Sequence, residues 1–100
     1  MPIVSGQIQD EIYHISILGD IDMFAVKEIK SKLWDMVQNK KFTELYLDFQ
    51  NVNYIDSTGI GTIMNFVKML RQYGTKVKVE KVRDRVQTVL SLAGLDKFFM

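Results

Sequence analysis

The sequence predicts a small α/β domain over residues 1–100, with a mixed, mostly parallel sheet and helices mainly on one face. Two observations predict it. Strand-like and helix-like segments alternate from end to end, with no linker or repeat and one proline, Pro2; that alternation implies parallel strands joined by crossovers. The strands also alternate apolar with polar residues instead of running apolar throughout, so one face of the sheet is expected to stay partly wet.

Ile3 to Ile8 reads as a weak strand and Asp10-Glu11 as a turn. Ile12 to Leu18 is a stronger strand, with Tyr13, Ile15 and Ile17 on one face and His14 and Ser16 on the other. Gly19-Asp20-Ile21-Asp22 forms a loop, and Asp22 is placed to cap a helix from about Met23 to Gln38. At 100° per residue, Ala25, Val26, Ile29, Leu33, Met36 and Val37 share one face of that helix. Phe24 points nearly opposite and Trp34 sits at the edge. Glu44 to Phe49 is the clearest strand, its Leu45, Leu47 and Phe49 alternating with Tyr46 and Asp48.

A loop over Gln50 to Asn53 leads through Tyr54-Ile55-Asp56 into a second helix from Ser57 to Tyr73, which Gly74 stops. Its core face is Ile60, Ile63, Met64, Val67 and Leu70, with Phe66 adjoining. Lys76 to Glu80 is another strand. Arg83 to Ala93 is a third helix carrying Val86, Val89, Leu90 and Ala93, stopped by Gly94. Lys97 to Met100 is read as the start of a last short strand. The order is therefore β-β-α-β-α-β-α, followed by a short β.

Composition excludes several functions. Apolar residues make up 47% and charged ones 25%, enough apolar surface to fold and therefore not a disordered chain. A net charge of +1 is too balanced for a protein that binds nucleic acid by neutralising phosphates. With no cysteine, disulfides, thiolate catalysis and cysteine-held zinc are ruled out. Met1 to Asp10 lacks a signal-peptide core, and no apolar run approaches the roughly 20 residues of a membrane span. The expected compartment is the cytoplasm, without direct membrane insertion.

Catalytic groups are scarce as well. His14 is the only histidine and reads as a surface residue. No helix offers two metal ligands at three- or four-residue spacing, so no metal site is expected. Gly59-Ile60-Gly61 begins like a dinucleotide loop, but Met64 stands where the third glycine belongs. No phosphate loop is present, no cofactor is expected, and the domain is not expected to be an enzyme.

The informative run is Tyr54 to Gly61, where a loop after a strand enters a helix. Amide groups there lack intrahelical partners, and the helix dipole is positive at that end. One reading is that Ser57 or Asp56 caps the helix while Gly59 and Gly61 let its first turn pack closely. Two glycines in that turn cost about 1 kcal/mol each relative to alanine, and capping alone does not need them. Close approach of another chain does. Asp56, Ser57 and Thr58 also place a carboxylate and two hydroxyls at the strand-end edge where partners of α/β folds dock.

On these residues the chain resembles a STAS domain, specifically a bacterial anti-sigma-factor antagonist. Asp56-Ser57-Thr58-Gly59-Ile60-Gly61 matches that family's signature. Leu18-Gly19-Asp20-Ile21-Asp22 matches its second recognisable segment, and Leu45 to Phe49 with Val52 to Ile55 match the strand and loop before the signature. Gly94-Leu95 and Lys97-Phe98-Phe99 resemble the end of its third helix. Members often continue with a fuller strand and a final helix, whereas this chain stops at Met100.

The resemblance implies binding to an anti-sigma factor that is also a serine kinase, release on phosphorylation of Ser57, and restoration by a serine phosphatase. Asp20, Asp22 and Asp56 would lie near the acceptor. The expected partner surface takes in Met23 and Phe24, exposed apolar anchors of the loop, together with Asp20, Asp22, Asp56, Ser57, Thr58, Gly59 and Gly61. The alternatives are an adaptor of a membrane transporter or lipid-trafficking complex, a stress-assembly scaffold, and a nucleotide-binding module using the amides of the second helix. Trp34 and Met69, off the main stripes of their helices, are expected to pack at the edge of the core.

Overall fold

A computed structural model describes residues 2–100. The elements are β1 (Ile3–Gln9), β2 (Ile12–Leu18), α1 (Val26–Val37), β3 (Glu44–Asn51), α2 (Ser57–Gln72), β4 (Lys76–Glu80), α3 (Asp84–Leu92) and α4 (Asp96–Phe99). The four strands form one sheet in chain order. β1 pairs antiparallel with β2, and β2, β3 and β4 are mutually parallel. The hairpin turns through Asp10 and Glu11, both at positive φ (53° and 64°). That is the two-residue turn whose twist suits antiparallel strands.

The alternation of the strands decides where the core sits. Tyr13, Ile15 and Ile17 of β2, Leu45, Leu47 and Phe49 of β3, and Val77 and Val79 of β4 are all buried on one face. They meet Ile29 and Leu33 of α1, Ile60, Ile63, Phe66, Val67 and Leu70 of α2, and Val86 and Leu90 of α3. The opposite face stays open to water. His14 is exposed there, stacked on Tyr46 with ring centroids 5.5 Å apart. The Tyr46 hydroxyl donates to Glu44, and this bond to a carboxylate raises the tyrosine pKa. Tyr13, by contrast, donates to the Met36 carbonyl at 3.0 Å, and burial raises its pKa.

Four expectations need correction. The first helix begins at Val26 and not Met23, because the preceding turn is organised by Asp22: its carbonyl accepts from the Ala25 and Val26 amides, both at 3.0 Å. Residues 97–100 do not extend the sheet. Asp96–Phe99 winds into the short helix α4, which buries Phe99 against the interior. Arg71 holds that helix in place, donating from Nη2 to the carbonyls of Val77 and Phe98, both at 2.7 Å. Met64 packs against the core but is only half-buried, whereas Phe66 is fully buried, with Trp34 edge-on to its ring at 5.1 Å. Ala93 is exposed at the C-cap, beyond the last turn that α3 buries.

Candidate functional site

Parallel pairing of β2 and β3 brings the loops that follow them to the same end of the sheet. Ile21 and Ile55 continue the pairing as an isolated parallel bridge. The Ile21 amide donates to the Tyr54 carbonyl at 2.9 Å, and the Asp56 amide to the Ile21 carbonyl at 3.3 Å. Both isoleucines are buried. Two segments more than 30 residues apart in sequence thus form one rigid seam.

Asp56 joins the seam to α2. It is the N-cap of that helix, and its Oδ1 accepts from the Gly59 amide at 2.8 Å. Its Oδ2 accepts from the Met23 amide at 2.9 Å, on the other loop. One carboxylate therefore satisfies an orphan donor of the helix and fastens the neighbouring segment. Asp22 completes the turn: its Oδ1 accepts from Phe24 at 3.1 Å and Ala25 at 3.0 Å. With the backbone so held, the side chains of Met23 and Phe24 stand in solvent, 63% and 87% exposed. Tyr54 lies across the seam and is 46% exposed.

The outer side of the first turn of α2 carries Ser57 and Thr58, both exposed. The Ser57 hydroxyl makes no hydrogen bond among the described residues. Capping thus belongs to Asp56 alone, which leaves the serine free for other chemistry. The Thr58 carbonyl accepts from the Thr62 hydroxyl at 3.0 Å.

The two glycines of the signature differ. Gly59 is buried, and a Cβ there would lie 2.0 Å from the Ile21 carbonyl oxygen. Its missing side chain serves close contact within the chain, so the approach that requires glycine here is that of Ile21. A Cβ on Gly61 would have nothing within 4 Å outside its own helix turn. Asp20 and Asp22 line a shallow hollow of about 310 Å³ with Glu28 and Phe24; Ser57 is not part of it. Among the described residues, Asp22 is linked to the Ser57 end of α2 through Met23 and Asp56. Sequence reasoning missed the hydrogen bond from the Met23 amide to Asp56. The adjacency of the two matched segments was the signal that pointed to such a contact.

A sheet of this order, with helices on one face and a seam bolted at the start of α2, defines a STAS domain. The STAS domain model matches residues 4–100, and the chain belongs to that family. It is 31% identical over 87 residues to the anti-sigma-B factor antagonist of Staphylococcus aureus (strain NCTC 8325 / PS 47), covering 87% of this chain and 80% of that one. Solved structures share the fold. An anti-sigma factor antagonist from Mycobacterium paratuberculosis superposes with a TM-score of 0.85 at 21% identity, covering 99% of this chain and 83% of that one. The Bacillus cell fate determinant SpoIIAA in its phosphorylated form gives 0.70 at 19% identity, covering 98% and 89%. Among the described residues, no helix is long and apolar enough to cross a membrane.

Proposed function

We propose that this domain is an anti-sigma-factor antagonist, working in the cytoplasm as one STAS module over residues 1–100. It binds an anti-sigma factor through Met23, Phe24 and the outer side of α2 at Ser57, Thr58 and Gly61. The serine kinase activity of that partner transfers a phosphoryl group to the Ser57 hydroxyl, and the complex separates. A serine phosphatase returns the hydroxyl and with it the binding. This chain performs no chemistry itself; the catalysts are its partners.

The observation that carries the reading is the exposed, unengaged Ser57 hydroxyl beside the Asp56 carboxylate, which also fastens the Met23 amide next to the exposed Phe24. The name of the Staphylococcus aureus relative supports it. Phosphorylation adds about −1.5 to −2 charges, and the start of a helix favours such a charge. The fold therefore survives modification, and the penalty falls on the complex. Charge and bulk appear where a closely fitted surface would otherwise touch, beside Asp56.

Incubation with the anti-sigma kinase and ATP, followed by mass spectrometry, tests this. The phosphate is expected on Ser57. Ser57→Ala should bind the kinase and resist release by ATP. Ser57→Asp should fold normally yet bind more than about thirtyfold more weakly, as a loss of about 2 kcal/mol requires. Thr58→Ala should keep both phosphorylation and release. Modification at Thr58 would move the acceptor by one residue. Unchanged binding by Ser57→Asp, with neither hydroxyl modified, would overturn the switch in favour of the transporter adaptor.

A further inference from the structure

The sheet has two edges, and the chain treats them differently. β4 alternates Lys76, Lys78 and Glu80 along its length. Arg71 occupies its Val77 carbonyl, and α4 packs beside it. Charge and cover are the usual means by which a sheet edge is kept from pairing with another chain. β1 has neither. Ile3–Gln9 contains no charged residue and no proline. Apart from its ladder with β2, it makes no hydrogen bond among the described residues. A row of backbone donors and acceptors is left open along its outer side, and what satisfies such a row is another strand.

The side chains say which strand. Val4-Ser5-Gly6-Gln7-Ile8 reads apolar, polar, glycine, polar, apolar in either direction. Val4 and Ile8 are half-buried on the helix-bearing face, while Ser5 and Gln7 are exposed on the open face. We infer that β1 pairs antiparallel with β1 of a second copy, about a two-fold axis at Gly6, and joins two four-stranded sheets into one of eight. In that register Val4 meets Ile8 of the partner subunit, and Ser5 meets the partner's Gln7. Over Val4–Ile8 apolar faces apolar and polar faces polar, with no like charges opposed, while Ile3 meets Gln9 of the partner subunit.

The axis itself is free of side chains. The Met36 methyl fills the space above Gly6, 2.6 Å from where a Cβ would stand, so the apolar layer continues to the seam. Assembly stops at two because the β4 edge is closed. A single strand pair falls below the about 1,200 Å² of a stable interface, so the dimer is weak and concentration-dependent.

Sedimentation of the full chain from about 10 µM to 1 mM, the range in which a weak interface associates, tests this directly. The weight-average mass should climb toward twice that of one chain. Ser5→Lys with Gln7→Lys puts lysine opposite lysine twice in the dimer, and Ser5→Glu with Gln7→Glu does the same with carboxylates. Each double variant should stay monomeric, with circular dichroism confirming that it folds. An equimolar mixture of the two should dimerise at lower concentration than the native chain. A native protein that remains monomeric at the highest concentration overturns the inference. So do double variants that dimerise undiminished, which would place the interface elsewhere, and a mixture that stays monomeric, which would exclude pairing about Gly6.

Discussion

Gly59 and Gly61 stand two residues apart at the start of α2, and the two sides of the helix that they occupy meet opposite demands. On the inner side, Gly59 lets the helix descend onto the Ile21 carbonyl, and Asp56 ties helix and loop together. On the outer side, Ser57, Thr58 and Gly61 touch little of their own chain. The inner side holds a geometry; the outer side presents one. Substitutions at the two should therefore differ in sign as well as in size.

The largest effect is expected at Gly59. Gly59→Ala drives a methyl into a backbone carbonyl that cannot swing aside, so the seam must open or the helix must lift. A loss of about 3 kcal/mol, at the upper end of overpacking costs, should appear as a lower urea midpoint. Partner binding should fall with it, because the loop that carries Phe24 moves. A midpoint within error of the native protein would show that the inner side is not tightly fitted.

Asp56→Ala comes next. It removes the cap of α2 and the acceptor for the Met23 amide together. About 2 kcal/mol should be lost. Amide exchange should quicken at Met23 as well as at Gly59, and a change at Gly59 alone would mean that the carboxylate serves the helix only.

Gly61→Ala should go the other way. With nothing within 4 Å of the new Cβ, only the helix preference of alanine is felt. The domain should gain about 1 kcal/mol. Binding to the anti-sigma factor should nevertheless weaken if the partner comes close at this point. A stabilised variant with native affinity would remove Gly61 from the contact surface.

The smallest effect on folding is expected at Phe24. Its ring is 87% exposed, so Phe24→Ala should leave the thermal midpoint nearly unchanged. Its effect belongs to the complex, where calorimetric titration with the partner should report a clear loss of affinity. A large drop in midpoint would place the ring in the core.

Much of this was legible in the sequence because periodicity and burial follow the same rule. Tyr13, Ile15 and Ile17 alternate, and so do Leu45, Leu47 and Phe49; both sets are buried. Ile29 and Leu33 recur at four residues and are buried. Local turn chemistry was equally readable at Asp10-Glu11 and at Gly74, whose φ is 88°. The end of the chain was less so. Phe98 and Phe99 suit a strand by propensity, but Phe99 has a pocket beside β4 and Arg71 takes the Phe98 carbonyl, so packing chose a helix.

For the site, the residue pattern alone placed the strand-end residues and the start of a helix at Ser57. Those facts depend on neighbours along the chain, through strand alternation, helix spacing and capping. It did not determine why Gly59 is a glycine, or which of Asp56 and Ser57 caps α2. Each of those depends on the distance between segments remote in sequence: a Cβ on Gly59 would stand 2.0 Å from the Ile21 carbonyl oxygen, and the Met23 amide lies 2.9 Å from Asp56. Periodicity carries no information about such distances. They were set only when β2 and β3 paired in parallel and brought the two loops together.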